Sequence, residues 1–554
     1  LCQHAPAQRL YDRLFTNLLM RTEVMKKSNK IPALLLPLLL MSFVSCSDWL
    51  NLLPEDSVPK QSYWKSKEDV VSALKGIYSS MLSSDLSQKI WLWGEIRADM
   101  ITDGRSVNAS LNLVRQGEIS ADNSLCNWSS FYTTINNCNI LLRFAPEAYE
   151  KDESFTQPEL ESYMAQAVAV RALMYFYLVR TFGDVPFSLE AYVDDSQYLP
   201  LAKSPGSVIL DSLVLQLEGL RANNSIPYQY GSAAENKGQM TRYAVDALLA
   251  DIYLWKEDYA SCVVVCDEIL NSGQFALIPV PKAEAVTDQG DTVLHPSPAG
   301  IYDLFQSLYI DGNSVESIFE LPFDRDITNP FYQLLVYQNR SLMPNALYIN
   351  SDIFVPSAKG DPEYFDIRAS INSKGGYVWK MAGVTYDGND VFTVENMTNN
   401  LIIYRLAQVY LMKAEALTQL AGQDQEKLEE AYGLLRQLRE RSCAVETTEL
   451  ERDGSGNIDR DLLELFVMEE SARELMFEGK RWFDVLRNAK RNNYSKLNYL
   501  MSIVPNSTTP DKVYSLQVKY KNFNSHYLPL PQADIESNPL LVQNPFYDTK
   551  INKP

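Results

Sequence analysis

Two carboxylates, Glu474 and Glu478, lie four residues apart in the stretch EESARELMFEGKRWFDVLR. A pair of carboxylates is the working chemistry of most glycoside hydrolases, provided the two flank a sugar bond. At this spacing both fall on one face of a helix, one turn apart, and nothing around them forms a cleft. Glu478 with Arg481 reads as an i,i+3 ion pair, and Trp482, Val485 and Leu486 read as inward-facing. A structural role is expected.

Other reactive groups are sparse. Beyond the N-terminal region there are two histidines, His295 and His526. No HExxH, GxSxG or glycine-rich phosphate loop occurs. His526 is expected to pack, and His295, next to Pro296, to sit on a loop. Neither a catalytic residue nor a cofactor is expected. Asp453, Ser455, Asn457, Asp461 and Glu464 follow the ligand spacing of a calcium loop, but Ile458 stands where the sharp turn needs glycine. A polar turn with Asp461 near the cap of the next helix is the plainer reading. Cys262 and Cys266 are one helical turn apart with no histidine nearby to complete a zinc site. With Cys126, Cys138 and Cys443 they read as free, buried thiols.

Binding chemistry is better supplied. Aromatic residues make up 11% of the chain, with 32 Tyr. An aromatic face takes the C–H face of a sugar, and neighbouring carboxylates or guanidiniums pair its hydroxyls. Two regions offer this. One is Trp91 to Arg105, with Trp93, Arg97, Asp99, Asp103 and Arg105. The other lies between 276 and 400, with Tyr302, Tyr309, Tyr332, Asp366, Arg368, Tyr377 and Trp379. The formal net charge of −20 argues against nucleic acid and against anionic lipid.

The segment MKKSNKIPALLLPLLLMSFVSCSD, Met25 to Asp48, has the order of an export signal: lysines, an apolar run from Ile31 to Val44, then small Ser45. Ending on Cys46 marks a bacterial lipoprotein signal, with Cys46 acylated as the first mature residue. Residues 1–24 are expected to be upstream translated sequence, 25–45 the signal, 46–61 a polar tether, and 62–554 one domain.

Helices must position the candidates. Ser66 caps one, with Glu68 and Asp69 in its first turn. Further helices are expected at 128–144, 158–182 (stopped by Gly183-Asp184-Val185-Pro186), 208–220, 242–255, 259–270, 401–420, 426–441 and 461–491. Region 276–400 reads as loops and short strands, and 514–554 as an extended tail. Ala172-x-x-Tyr175, Ala250-x-x-Tyr253 and Ala407-x-x-Tyr410 recur mid-helix, the packing logic of tetratricopeptide helix pairs. The fold class expected is mainly α: tetratricopeptide-like helix pairs at about 62–275 and 401–554, with a loop-rich insertion at about 276–400 and few short strands.

Several stretches, in order, resemble the SusD/RagB family of Bacteroidetes outer-membrane lipoproteins: CSDWLNLLP, YWKSKEDVVSALKGIYSSM, WGEIRADM, AVRALMYFYLVRTFGDVPF, YRLAQVYLMKAEAL, EESARELMFEGKRWFDVLR and HYLPLPQADIESNPLLVQNPFY. The resemblance implies a helix-pair scaffold, anchorage to outer-membrane lipid through Cys46, and a SusC-like TonB-dependent transporter as partner. It also implies capture of glycan outside the cell without bond cleavage. The alternatives are a peptide- or glycopeptide-capturing lid of the same kind of transporter, and a surface glycoside hydrolase.

Overall fold

The computed structural model describes residues 63–194, 200–286, 292–354, 366–382, 397–444 and 449–548. The signal, Cys46 and the tether lie outside the described residues. The unit beginning at Tyr63 is mainly helical.

Helix ends follow local chemistry. Helix α1 (Lys67–Met81) and α4 (Gln157–Phe182) each begin with a capping box, Ser66 with Asp69 and Thr156 with Glu159, which satisfies backbone N–H groups that have no partner inside the helix. Gly183 takes φ +77° and stops α4. Between them, α2 (Ser84–Glu95) and α3 (Ser129–Lys151) complete the N-terminal layer. Helix α3 runs past its expected end at 144, through Pro146, because Ala145 and Ala148 continue its buried face.

The scaffold is a succession of helix pairs. Helix α4 packs on α3 and on α5 (Gly206–Ala222). Helix α6 (Arg242–Trp255) folds back onto α7 (Tyr259–Leu270). Helix α8 (Leu406–Ala421) does the same with α9 (Gln425–Arg441) and also packs on α7. Ala172, Ala250 and Ala407 are buried at these contacts. Tyr175, Tyr253 and Tyr410 reach to Ser188 O, Glu218 and Gln437 with their hydroxyls. Helix pairs with few short strands are thus what the chain forms.

Three expectations are corrected. The run expected to be helical from 401 begins as a strand, Leu401–Arg405, because its apolar and β-branched residues are all buried in a ribbon with Ser317–Leu321. That ribbon anchors the 276–400 insertion to the scaffold. The helix expected over 461–491 is two: α10 (Arg460–Glu474) and α11 (Arg481–Tyr494). The tail expected to be extended carries the helix Val513–Tyr520 and shorter helical turns at Phe523–His526 and Gln532–Ser537.

The break between α10 and α11 has a clear cause. Phe477 and Gly479 have φ +64° and +72°, and the turn presses onto α2. The Trp91 Nε1–H donates to Phe477 O at 2.7 Å, and Gly479 N–H donates to Glu95 Oε1 at 2.9 Å. A Cβ on Gly94 would meet Gly479 O at 1.8 Å. Gly94→Ala is therefore expected to cost about 3 kcal/mol, since backbone on both sides must move. Urea unfolding of the two proteins measures it.

Candidate functional site

The two carboxylates that resemble a hydrolase pair are locked in a buried ion network. Glu474 accepts from Arg405 Nη1 at 2.8 Å and Arg368 Nη1 at 2.9 Å, and also from Arg441. Glu478 accepts from Arg405 Nε at 2.8 Å and Lys380 Nζ at 2.7 Å. The expected Glu478–Arg481 pair does not form. Arg481 instead makes a two-pronged pair with Asp99 at 2.9 and 2.8 Å, because the turn at Phe477–Gly479 separates them. Burial alone would raise both glutamates. The charges of Arg441, Arg405 and Arg368 outweigh it and hold Glu474 well below the usual carboxylate range, and Arg405 and Lys380 lower Glu478. A glycosidic general acid needs the opposite shift. Among the raised carboxyls, Glu95 is pushed up to about 8 by burial against the lowering pull of the Gly479 and Lys480 N–H groups; Asp246, raised to about 7 by burial, is paired with Arg221 and Arg242. Glu95 is enclosed under Gly479, away from any surface.

Six of the expected binding residues are core. Trp93 stacks on Phe131 at 4.5 Å and donates to Leu125 O. Arg97 donates to His526 O and Ser525 O and lies over the Trp482 ring at 4.1 Å. Asp99 is taken by Arg481. Tyr309 is buried, 3.4 Å from Glu478. Asp366 and Arg368 pair with each other, and Arg368 also with Glu470 and Glu474. Each has its polar atoms turned to protein and no face toward solvent. Asp103 is half-buried and pairs with Arg115 at 2.6 Å. Tyr302 and Trp379 are half-buried, and Trp379 packs against two of the core clusters.

The calcium spacing closes differently. Asp453 Oδ1 accepts the N–H groups of Ser455 and Asn457 at 2.8 Å, and Arg452 pairs with Ile458 across the turn. Asp459, not Asp461, caps α10. Glu464 turns inward to Arg491 and Lys496, so the fifth ligand is removed from the loop. Among the described residues no group of three or more His, Cys, Asp or Glu is placed to hold a metal ion. His526 is buried with Nε2 2.8 Å from Tyr520 O. His295 lies in the strand Thr292–Pro296, paired with Lys282–Val286, rather than on a loop. Cys126, Cys138, Cys262 and Cys266 are free and buried, and Cys443 is free and half-buried.

Three expected residues do come together at the surface: Arg105, Tyr332 and Tyr377. Strand Ile101–Asp103 pairs with Leu342–Pro344. Gly104 follows, so close to the Arg340 carbonyl that a Cβ would lie 2.1 Å from it. This brings exposed Arg105 beside Arg340. The Arg340 guanidinium lies 3.9 Å above the Tyr377 ring and donates from Nε to Gly376 O at 2.9 Å. Burial pulls its pKa down, and the nearby charge of Arg105 adds to that against the pull of Tyr377. The hairpin bearing Tyr377 packs on the π-helical turn Tyr332–Val336. That turn closes by Tyr337 N–H donating to Tyr332 O at 2.8 Å, and it sets the two rings 6.0 Å apart. Tyr337 is 41% exposed; Tyr332 and Tyr377 are half-buried. The result is a patch of three tyrosine side chains with the exposed Arg105 guanidinium beside it and the Arg340 guanidinium buried against Tyr377. Such a face can stack on a ring and donate to hydroxyls; it offers no nucleophile and no general acid.

Tyr337 and Arg340 were not singled out from the sequence. The signal was the five-residue spacing Tyr332–Tyr337, which a π turn places on one side and a 3.6-residue period does not.

Two family models match the chain in succession: one described as starch-binding and associating with the outer membrane, over residues 48–254, and one described as the SusD family, over 361–547. The chain belongs to the SusD family. Relatives of this SusD-family chain include SusD-like protein P38 of Formosa agariphila, 26% identical over 503 residues, covering 84% of this chain and 93% of that one. SusD-like protein P2 of the same organism is 25% identical, covering 92% and 98%. Among solved structures, surface glycan-binding protein A of Bacteroides thetaiotaomicron, in complex with laminarihexaose, matches with TM-score 0.61 and 20% identity over 87% of this chain and 100% of that one. A SusD-like protein of Bacteroides fragilis matches with TM-score 0.65 and 18% identity, covering 89% and 99%. These structural likenesses establish the SusD-like helical fold.

Proposed function

We propose that this protein is a glycan-binding lipoprotein of the outer membrane, facing outside the cell, which captures oligo- or polysaccharide and delivers it to a SusC-like TonB-dependent transporter. The observation that carries the reading is the Tyr332–Tyr337–Tyr377 patch, exposed at Tyr337 and half-buried at the other two, with exposed Arg105 beside it and buried Arg340 supporting Tyr377. Family membership supports it, as does a structural relative solved with a glucan hexasaccharide. Each stacked ring contributes about 0.5–1.5 kcal/mol by analogy with aromatic pairs. Two or three rings sum to about 1–4.5 kcal/mol, near-millimolar affinity or weaker before hydrogen bonds are added, and weak binding suits release into a transporter. In this reading no bond is broken: Glu474 and Glu478 are held ionised by buried arginines.

Native gels cast with a panel of polysaccharides, beside a pull-down with immobilised peptides, test the ligand class. Retardation by at least one polysaccharide is expected. Retention by peptides and by no polysaccharide replaces glycan with peptide as cargo.

Anchorage rests on Cys46 in this reading. Among the described residues no helix is long and apolar enough to cross a membrane. Acyl chains contribute about 0.8 kcal/mol per buried methylene. Cys46→Ser is expected to move the protein from the membrane pellet to the soluble fraction, or to leave it as unprocessed precursor. Fractionation followed by intact mass measurement distinguishes these from an acylated wild type; an unmodified wild-type N-terminus at another residue removes the anchor.

A further inference from the structure

A cleft of about 390 Å³ opens on the helical scaffold, walled by the end of α4, the start of α5, the residues after α6, helix α11 and the C-terminal tail. Its residues are separate from those of the tyrosine face. Three lysines line it: Lys203, Lys256 and Lys490. In a chain of net charge −20, such a grouping makes a local field of the opposite sign.

The lysines are not equally neutralised. Lys256 pairs with exposed Asp211. Lys490 lies over the Trp255 ring at 4.4 Å and 5.6 Å from that of Tyr527. Among the described residues no carboxylate lies within ion-pair distance of Lys490 or Lys203. Burial brings the Lys490 ammonium down to about 8, against the weaker opposing charge of Glu257. The one acidic residue lining the cleft, Asp184, is exposed, and its Oδ1 accepts the Gly206 N–H at 2.9 Å. That bond places a carboxylate at the first N–H of α5, a 17-residue helix, so the helix end is already neutralised and the two lysines are what remains for an anion. Beyond Lys490 the chain turns through Asn492, Asn493 and Tyr494, all with positive φ (49°, 56° and 64°). Tyr494 is pinned flat on Phe523 at 3.7 Å, which fixes the end of α11 and the lysine it carries.

We propose that this cleft binds an acidic saccharide, its anionic group seated by Lys490 and Lys203. The volume lies in the range of small-molecule clefts, roughly 300–1,000 Å³, and is far larger than a bare oxyanion fills. Exposed Asn524 on the tail supplies an amide for hydroxyls, held in place by the buried Asn544 amide, which donates to Asn524 O at 3.0 Å.

Calorimetric titration with trigalacturonate, neutral galactotriose and inorganic sulfate tests this. Trigalacturonate is expected to bind the full chain at least about tenfold more tightly than galactotriose, the scale of one charge-assisted hydrogen bond. Lys490→Met is expected to remove most of that difference and Lys203→Gln part of it. The Tyr332→Ala/Tyr337→Ala/Tyr377→Ala triple variant is expected to retain it, so the two binding regions fail or stand separately. Equal binding of both trisaccharides overturns the proposal. So does sulfate binding as tightly as trigalacturonate, which makes the cleft an anion site only. No loss in either lysine variant also overturns it. If Lys490→Met fails to fold, half-buried Lys203 at the cleft wall carries the test.

Discussion

Replacing Tyr332, Tyr337 and Tyr377 together by alanine removes measurable binding to whichever polysaccharide retards the wild type, and lowers the unfolding midpoint by the packing that half-buried Tyr332 and Tyr377 lose against the core. The three rings share one face but differ in exposure. Tyr337, at 41% exposed, has the least packing to lose and is the cleanest single test. Its loss alone is expected to weaken binding about threefold to tenfold, from about 0.5–1.5 kcal/mol per stacked ring. Tyr377 supports the Arg340 guanidinium at 3.9 Å, so Tyr377→Phe, which keeps the ring, is expected to bind nearly as wild type, and Tyr377→Ala is not. Affinity electrophoresis across the series gives these ratios directly. A triple variant that binds as wild type assigns the ligand to another surface.

The second large effect is on stability. Arg405→Met is expected to cost about 3–5 kcal/mol, the usual result of leaving buried carboxylates short of a partner. Arg405 is fully buried and serves Glu316, Glu474 and Glu478 at once. The same operation on the exposed Arg436–Glu440 pair is expected to change stability by less than about 1 kcal/mol. The network also sets an acid limit. Burial pushes Glu470 up, but Arg368, Arg473 and Arg439 bring it down to about 2, and Glu474 lies well below its ordinary value. Groups depressed in the folded state stabilise it above their unfolded pKa, near 4.5, and that contribution is lost as pH falls toward 2. Wild-type Tm is expected to drop steeply below about pH 4.5. Arg405→Met, with Glu474 and Glu478 less depressed, starts lower and falls less steeply. Parallel slopes contradict the assignment of acid sensitivity to this network.

The helices with strong local signals were legible. Ser66 with Asp69 and Pro158 with Gly183 mark ends that the chain respects. The misread elements were those where tertiary contact overrides local pattern. Residues 401–405 continue an apolar run into α8, and only pairing with Ser317–Leu321 makes them a strand. Apolar spacing also runs through 475–480, and the close approach of Gly94 and Gly479 that breaks the helix is between residues far apart in sequence.

The candidate site was half legible for the same reason. Aromatic and charged residues were identified by type, but exposure is decided by packing. Trp93 and Arg97 have the chemistry of a sugar platform and are spent on the core, while Tyr337 came to the surface through a π turn. The 276–400 region carries Tyr332, Tyr337, Arg340 and Tyr377. The glutamate pair with hydrolase-like spacing is buried in an ion network whose partners are Arg368, Arg405, Arg441 and Lys380 rather than Arg481.

The account turns on a surface that grips a saccharide and leaves it whole. A crystal structure with an oligosaccharide from a retarding polysaccharide, its reducing ends counted before and after soaking, is the direct measurement. The prediction is an intact sugar with a ring stacked on Tyr337 or Tyr377 and no new reducing ends. A ligand seated elsewhere with these tyrosines bare, or cleaved products in the crystal, contradicts it.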